Sequence, residues 1–358
     1  MTVFHTLFRI AAVAAAVSWI IIPTDGSASI RSAAAAPFPA STERDKPLVT
    51  FSLLSDIHVQ ENDEMSQQLF VKALKDHYSI KSDNHMLLIN GDLTNGAGED
   101  FDMLRQLLNS TPHAPVHATM GNHEYYGMWR HGSHYNYAKL SKQWSSVKAT
   151  AQFMDFFGYS KAYHETTLQG VPFLFMSGEA YRDVDASFAE DAYLSEEQLV
   201  WLDTRLAEHQ ARRNAKPGGG TAARGTDLPA LVFLHQPLPG TLDGSSLERG
   251  VVQHERLRAI LEKYPFVVLF SGHTHWDWET TNQLWRGPFV AVGSASVRIV
   301  YGPDNKPLHP AKSESLFVEV YDGRIVVRAI DHEDGRWIGD PAVIHWGGGG
   351  AGSRMPSQ

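Results

Sequence analysis

The chain has 358 residues, 43% of them hydrophobic and 20% charged, which is ample for a buried core and excludes a disordered or low-complexity polypeptide. Its 31 Lys and Arg against 40 Asp and Glu give a formal charge of -9, the wrong sign for a protein that grips a polyanion by counterion release, so bulk nucleic-acid binding is not expected. There is no cysteine, which excludes disulfides, thiolate nucleophiles, iron–sulfur clusters and thiolate zinc sites, and leaves His, Asp, Glu and Asn to hold any metal.

Residues 1–36 read as an export signal peptide: Arg9 closes a short start, residues 10–22 are almost unbroken apolar, and the small residues from Ser27 to Ala36 suit a signal peptidase. The apolar run is short of the ~20 residues a spanning helix needs. Retention as a membrane anchor is the alternative. No second apolar run approaches spanning length, so the mature chain is expected to be secreted and free of the membrane.

From residue 48 a rhythm of strand, polar loop and helix repeats three times. Residues 48–54 predict a strand ending in Ser55-Asp56-Ile57-His58, with helical spacing over 65–77. A second strand, 86–89, stops at Asn90-Gly91-Asp92, and a helix over 99–109 leads to a third strand, 116–120, that breaks at Gly121-Asn122-His123-Glu124. Such alternation predicts an α/β fold with its functional groups on the loops that follow the strands. The aromatic- and His-rich stretch 125–163 reads as a helical insertion near the site, with Arg130, His131, His134 and Tyr135 as candidate substrate contacts. A strand is expected over 171–176, then a helix with Ser195 as N-cap, Gln198 at the capping-box position and Leu199, Leu202 and Leu206 as buried stripe. Residues 216–225 are a Gly-rich surface loop. Strand 231–234 ends at His235, and strand 266–270 ends at Gly272-His273-Thr274-His275, with Trp276 beside it as a further candidate contact. Residues 316–321 and 324–330, joined by Asp322-Gly323, predict a hairpin; the folded domain is expected over 45–335 and a disordered tail over 346–358.

Five polar clusters thus terminate strands and hold Asp56 and His58, Asp92, Asn122 and His123, His235, and His273 and His275. All are metal-ligand types. If the local chain is extended, residues two apart point the same way, and Asp56 with His58, like His273 with His275, forms a two-toothed claw. Glycine before Asp92, Asn122 and His273 lets the backbone approach a crowded centre. Seven ligands without His123 exceed what one tetrahedral ion uses, and oxygen and imidazole donors suit two ions of the zinc, manganese or iron type. Asp56 and Asp92 would cancel only two of the four charges that two divalent ions bring. A centre left cationic attracts phosphate and lowers the pKa of a bridging water from 15.7 toward ~7, supplying hydroxide near neutral pH. That chemistry is phosphoester hydrolysis.

The series Asp56-Ile57-His58, Gly91-Asp92, Gly121-Asn122-His123-Glu124, His235 and Gly272-His273-Thr274-His275 resembles the five-block signature of the calcineurin-like metallophosphoesterase superfamily, over residues 48–330. The resemblance implies a single-domain, four-layer α/β sandwich with two central mixed β-sheets. It also implies that Asp56, His58 and His275 hold a first metal and Asn122, His235 and His273 a second, with Asp92 bridging. His123 would be the non-ligand histidine that places the phosphoryl oxygen and protonates the leaving group. Asn95 stands where related members have an Asp that orients this histidine. The Leu93-Thr94-Asn95-Gly96 that follows Asp92 lacks the Asp-Arg pair of protein Ser/Thr phosphatases. Purple acid phosphatases carry a tyrosinate at Asn95 and a Gly at His58, so the pattern is more similar to the group of bacterial cyclic-nucleotide and glycerophosphodiester phosphodiesterases. The expectation is a secreted dinuclear phosphoesterase acting on a small phosphomonoester or phosphodiester. A module that kept the fold and lost turnover is the alternative; a zinc peptidase would need the His-Glu-x-x-His helix that is missing here.

Overall fold

Strand β1 (Val49–Leu54) is buried on both faces, and the pleat sends its side chains to different layers. Val49, Phe51 and Leu53 enter a core shared by two sheets, while Leu54 faces a second core beneath helices. The structure is a computed structural model that describes residues 46–132, 134–215, 228–245 and 250–345. The export-signal stretch 1–36, the Gly-rich loop 216–225 and the tail 346–358 lie outside the described residues.

The first sheet has β1 at its centre, parallel to β2 (Met86–Asn90), which is parallel to β3 (Val116–Thr119). On its other side β1 runs antiparallel to β12 (Glu314–Tyr321), and β13 (Arg324–Asp331) and β14 (Arg336–His345) extend that edge antiparallel. The second sheet runs in the order β10 (Leu284–Arg286), β11 (Val290–Gly293), β9 (Val267–Ser271), β8 (Ala230–Phe233), β7 (Val171–Phe175), β6 (His164–Leu168). Its four central strands are parallel and its two edge strands antiparallel. Phe51 of the first sheet meets Phe173, Phe233 and Phe270 of the second edge-on, with ring centroids 5.3, 5.9 and 6.0 Å apart.

Helices α1 (Glu64–Ile80), α2 (Gly98–Ser110) and α3 (Ser146–Phe157) cover the outer face of the first sheet. Helices α4 (Glu196–Asn214) and α5 (His254–Leu261) cover the second. This is the four-layer arrangement of two mixed sheets between helices that the family resemblance implied. Leu199, Leu202 and Leu206 form the buried stripe of α4, and Ser195 caps it by accepting from the Gln198 N–H. The reciprocal half of the capping box is absent: the Gln198 side chain bonds Ser177 and Glu179, and Glu179 accepts the Ser195 N–H at 2.7 Å.

Some elements exceed the sequence reading. The insertion after residue 122 is a 3-10 turn (His123–Trp129), a ribbon of β4 (Arg130–His131) and β5 (His134–Tyr135), and α3. Strands β6, β10 and β11 and helix α5 are additional. Strand β14 pairs with β13, carrying the sheet ten residues past the expected domain end at 335. No helix among the described residues is long and apolar enough to cross a membrane.

Candidate metal centre

Both sheets aim the carboxyl ends of their parallel strands at one place, the position at which α/β folds build sites. Asp56 follows β1, Asp92 follows β2, Asn122 and His123 follow β3, His235 follows β8, and His273 and His275 follow β9. Asn90 seams the sheets there. Its amide donates to the Phe270 carbonyl at 3.2 Å, and its own carbonyl accepts from His235 Nδ1 at 2.7 Å and Ser55 Oγ at 2.9 Å.

The loops are not extended, which corrects the geometry assumed for the two claws. Asp56, His58, Asp92, His273 and His275 all have positive φ, between 43° and 70°. Left-handed backbone at five non-glycine residues is strain held by the surrounding fold, a pattern characteristic of functional sites. Close approach explains the adjacent glycines. A Cβ on Gly91, itself at φ 81°, would sit 2.4 Å from the His235 ring, and one on Gly272 would sit 1.9 Å from Ser55 Oγ.

The ligand atoms gather into two groups that share one carboxylate: Asp56, His58, Asp92 and His275 in one, and Asp92, His235 and His273 in the other, each group's atoms within 4.8 Å of one another. His273 and His275 therefore serve different groups. Asp92 Oδ2 lies 3.2 Å from His235 Nε2 and 3.8 Å from His58 Nε2, and Asp56 Oδ1 lies 3.0 Å from His275 Nε2. His58 Nε2 and His275 Nε2 are 3.4 Å apart.

Charge is concentrated here. Burial opposes ionisation of Asp56, yet His275 and His235 hold its carboxyl down at about 2. Burial likewise opposes the His235 cation, and Asp92 with Asp56 overcomes it, pushing the imidazole up to about 10. His58 goes the other way, to about 3, through burial and the neighbouring His123.

These residues fit a pair of metal ions on the chemistry of the donors themselves. His235 and His275 direct Nδ1 to the carbonyls of Asn90 and Ile299, at 2.7 and 2.8 Å, which leaves each Nε2 facing the cluster, the nitrogen that a metal ion would take in place of a proton. Asn122 Oδ1 is buried without a hydrogen-bond partner. Its amide nitrogen donates to Glu190 Oε2 at 2.9 Å.

His123 stands beside the groups. Its backbone N–H donates to Asp92 Oδ1 at 2.9 Å, and its Nδ1 meets Asn95 Oδ1 at 2.7 Å. The Tyr126 ring stacks on it at 3.9 Å. A cleft of about 350 Å3 opens over the cluster, its wall completed by Gln60, Asp63, Tyr126, Glu190, Arg298 and Tyr301. The structure places Arg130, His131 and Trp276 outside this cleft. Arg130 pairs with Glu99, His131 bonds the Lys139 carbonyl at 2.9 Å, and Trp276 bonds Asn305 at 3.3 Å and packs under Gly244. These contacts occupy the three side chains: β4 and β5 follow the 3-10 turn, and Trp276 is half-buried against Gly244. His134 is exposed on the same ribbon, and the Tyr135 hydroxyl donates to the Asn95 carbonyl at 3.4 Å while its ring stacks on Tyr137.

Residues the sequence reading did not use are equally integral. The buried Glu124 carboxylate accepts four backbone N–H groups, from Asp92 and Gly121 on Oε2 and from Leu93 and Thr94 on Oε1, at 2.7 to 3.1 Å. It ties the β2 loop to the β3 loop. Its place in Gly121-Asn122-His123-Glu124 was the available signal. Asp63, the N-cap of α1, accepts from Arg298 Nε at 2.8 Å, which sets that guanidinium against the cleft.

A two-sheet α/β body whose strand ends bring together two ligand groups sharing one carboxylate defines a protein built around a candidate metal site. The model of the calcineurin-like phosphoesterase family matches residues 49–277, and the chain belongs to that family. The fold is similar to that of a dimetal phosphatase from Danio rerio, with a TM-score of 0.59 and 14% identity over 84% of this chain and 100% of that one. It is also similar to a purple acid phosphatase from yellow lupin (Lupinus luteus) seeds, with a TM-score of 0.52 and 14% identity over 83% of this chain and 53% of that longer one. At such identity the likeness shows the fold alone. A comparison with curated proteins by sequence finds no match.

Proposed function

We propose that the protein is an exported phosphoesterase that hydrolyses small phosphomonoesters or phosphodiesters at a dinuclear metal site. The observation that carries this reading is the pair of ligand groups sharing Asp92 at the floor of an open cleft. In it, Asp56, His58 and His275 would hold one ion and Asn122, His235 and His273 the other, with Asp92 available to both. Two bound divalent or trivalent ions of the zinc, manganese or iron type supply phosphoryl polarisation and an activated water. The remaining work falls to the chain. Asn95 Oδ1 accepts the Nδ1 proton of His123, so the proton that this imidazole exchanges is the one on Nε2, which faces the cluster 3.8 Å from Asp92. That arrangement suits a general acid for the leaving oxygen. The stacked Tyr126 ring restricts rotation of the imidazole, and Arg298, anchored through Nε by Asp63, presents its other nitrogens to an anionic substrate.

The test is metal analysis coupled to turnover of p-nitrophenyl phosphate and bis-p-nitrophenyl phosphate. Two ions per chain with hydrolysis of at least one ester is expected. Two ions without turnover would establish a silent module of the same fold. The apolar stretch 10–22 and the small residues after it support export, which N-terminal sequencing of secreted material checks: a start at Met1 would refute signal removal.

A further inference from the structure

Resting on that reading, we infer that Glu190 is the positioning residue that fixes the Asn122 amide with its oxygen toward the second metal position. An asparagine ligand has a problem that Asp or His does not share. Its oxygen and nitrogen ends have almost the same shape, and only the oxygen can bind a cation. Something other than packing must choose the face. Glu190 does so because a carboxylate only accepts: the group of Asn122 that meets Glu190 Oε2 at 2.9 Å has to be the Nδ2 donor, and this leaves Oδ1 on the opposite side, buried and without a hydrogen-bond partner.

Glu190 is itself built into place. Arg182 donates to its Oε1 at 2.9 Å and, through Nε, to the carbonyl of Ala189 at 3.1 Å. The Tyr181 hydroxyl lies 2.7 and 2.8 Å from its two oxygens, and Gln236 donates to its backbone carbonyl at 3.2 Å. Ala189 before it holds a φ of 51°, a strained turn for a residue with a Cβ. With these donors and Asn122 on its oxygens, Glu190 supports a ligand and is not one. The Tyr126 hydroxyl reaches the same Oε2 at 3.3 Å, so one carboxylate backs both Asn122 and the ring stacked on His123.

The test is a reciprocal swap read by zinc binding, with calorimetric titration and metal analysis of dialysed protein and thermal unfolding recorded for every variant. In Glu190→Gln, Arg182 and Tyr181 retain the glutamine oxygen, its NH2 faces Asn122, and two donors oppose. Affinity for one of the two zinc ions should fall by about 10- to 100-fold while the other stays bound. Asn122→Asp offers a charged ligand oxygen, which in isolation would tighten the ion; beside Glu190 it sets two carboxylates together and should weaken the same ion. The double variant Asn122→Asp/Glu190→Gln restores a donor–acceptor pair and should bind that ion more tightly than either single variant. Tyr126→Phe should keep both ions.

Wild-type affinity for both ions in Glu190→Gln, a double variant no better than Asn122→Asp, or loss of an ion in Tyr126→Phe would each overturn the inference. Tighter binding in Asn122→Asp alone would do so as well, even if Glu190→Gln failed to fold. A wild-type protein that takes up fewer than two zinc ions would instead overturn the dinuclear reading on which the inference rests.

Discussion

Replacing Glu124 by Ala tests whether the metal loops are held by the fold or only by what binds between them. Glu124 is 1% exposed and accepts four backbone N–H groups from the two loops that carry Asp92 and Asn122. Removing the acceptor strands four buried donors, each worth about 1–3 kcal/mol, for a gross loss of about 4–12 kcal/mol. Two effects reduce it. Water entering the space re-pairs some donors. Burial and the Asp92 charge also raise the Glu124 carboxyl to about 7, so its removal relieves a repulsion worth at most about 3 kcal/mol at neutral pH. The unpaired donors outweigh the relief, and a net destabilisation of about 1–9 kcal/mol, toward the lower end where water re-pairs donors, is expected. Urea unfolding of metal-free wild type and variant measures it directly, and metal content at a temperature well below the transition reports the loops. Glu124→Gln, which retains one oxygen, should fall between. A loss below about 1 kcal/mol in Glu124→Ala, with both ions retained, would refute the tie.

Ser315 Oγ lies 2.7 Å from His332 Nε2, and His332 Nδ1 lies 2.8 Å from Asp76, an array resembling a hydrolase triad. Ser315 and His332 are fully buried, and His77 occupies the other side of the serine at 2.7 Å. Ser315→Ala should therefore lower stability by about 1–3 kcal/mol and leave ester turnover unchanged; labelling of Ser315 by a fluorophosphonate would show the reading wrong. Burial and the neighbouring Asp277 push the Glu314 carboxyl from 4.5 up to about 9 in the fold. A raised folded pKa means that its stabilisation is complete below about pH 4.5 and drains away as pH climbs toward about 9. Glu314→Gln should flatten that decline and gain on the order of 1–3 kcal/mol at pH 8, which melting temperatures from pH 5 to 9 would check; an unchanged slope excludes Glu314 as its source. His123→Ala should keep both ions and slow hydrolysis by about 10²–10⁴-fold. The slowing should be greater on alkyl esters, whose leaving oxygen needs a proton, than on nitrophenyl esters; equal slowing on both would leave His123 as a positioning residue for the phosphoryl oxygen.

What could be read from the sequence divides along a physical line. Strands buried on both faces announce themselves as apolar runs, so β1, β2, β7, β8 and β9 were legible, and the polar residues that stop them marked the site. Edge elements gave no such signal. Strand β6 is the half-exposed HETTL, β10 is three residues long, and β14 carries Gly339, Asp340 and Pro341 in its middle, residues that ordinarily mark a turn. Helix α5 has eight residues and no side-chain cap. Inside the site the division is similar. Ligands recur at strand ends in a fixed order and can be recognised in one dimension, whereas the groups that aim them come from wherever the chain folds back. Glu190 is 68 positions from the Asn122 it orients, and Arg298 is 235 from the Asp63 that anchors it. The left-handed backbone at Asp56, His58, His273 and His275 was hidden for a different reason. Such conformations are disfavoured for residues with a Cβ and are held by tertiary contacts, at Asp56 and His275 the backbone bonds from Val297 to Ser55, from Arg298 to Asp56 and from Tyr301 to His275. All three bonds come from the segment after β11, a stretch with no ligand of its own, which is how a loop silent in the sequence comes to set the shape of the centre.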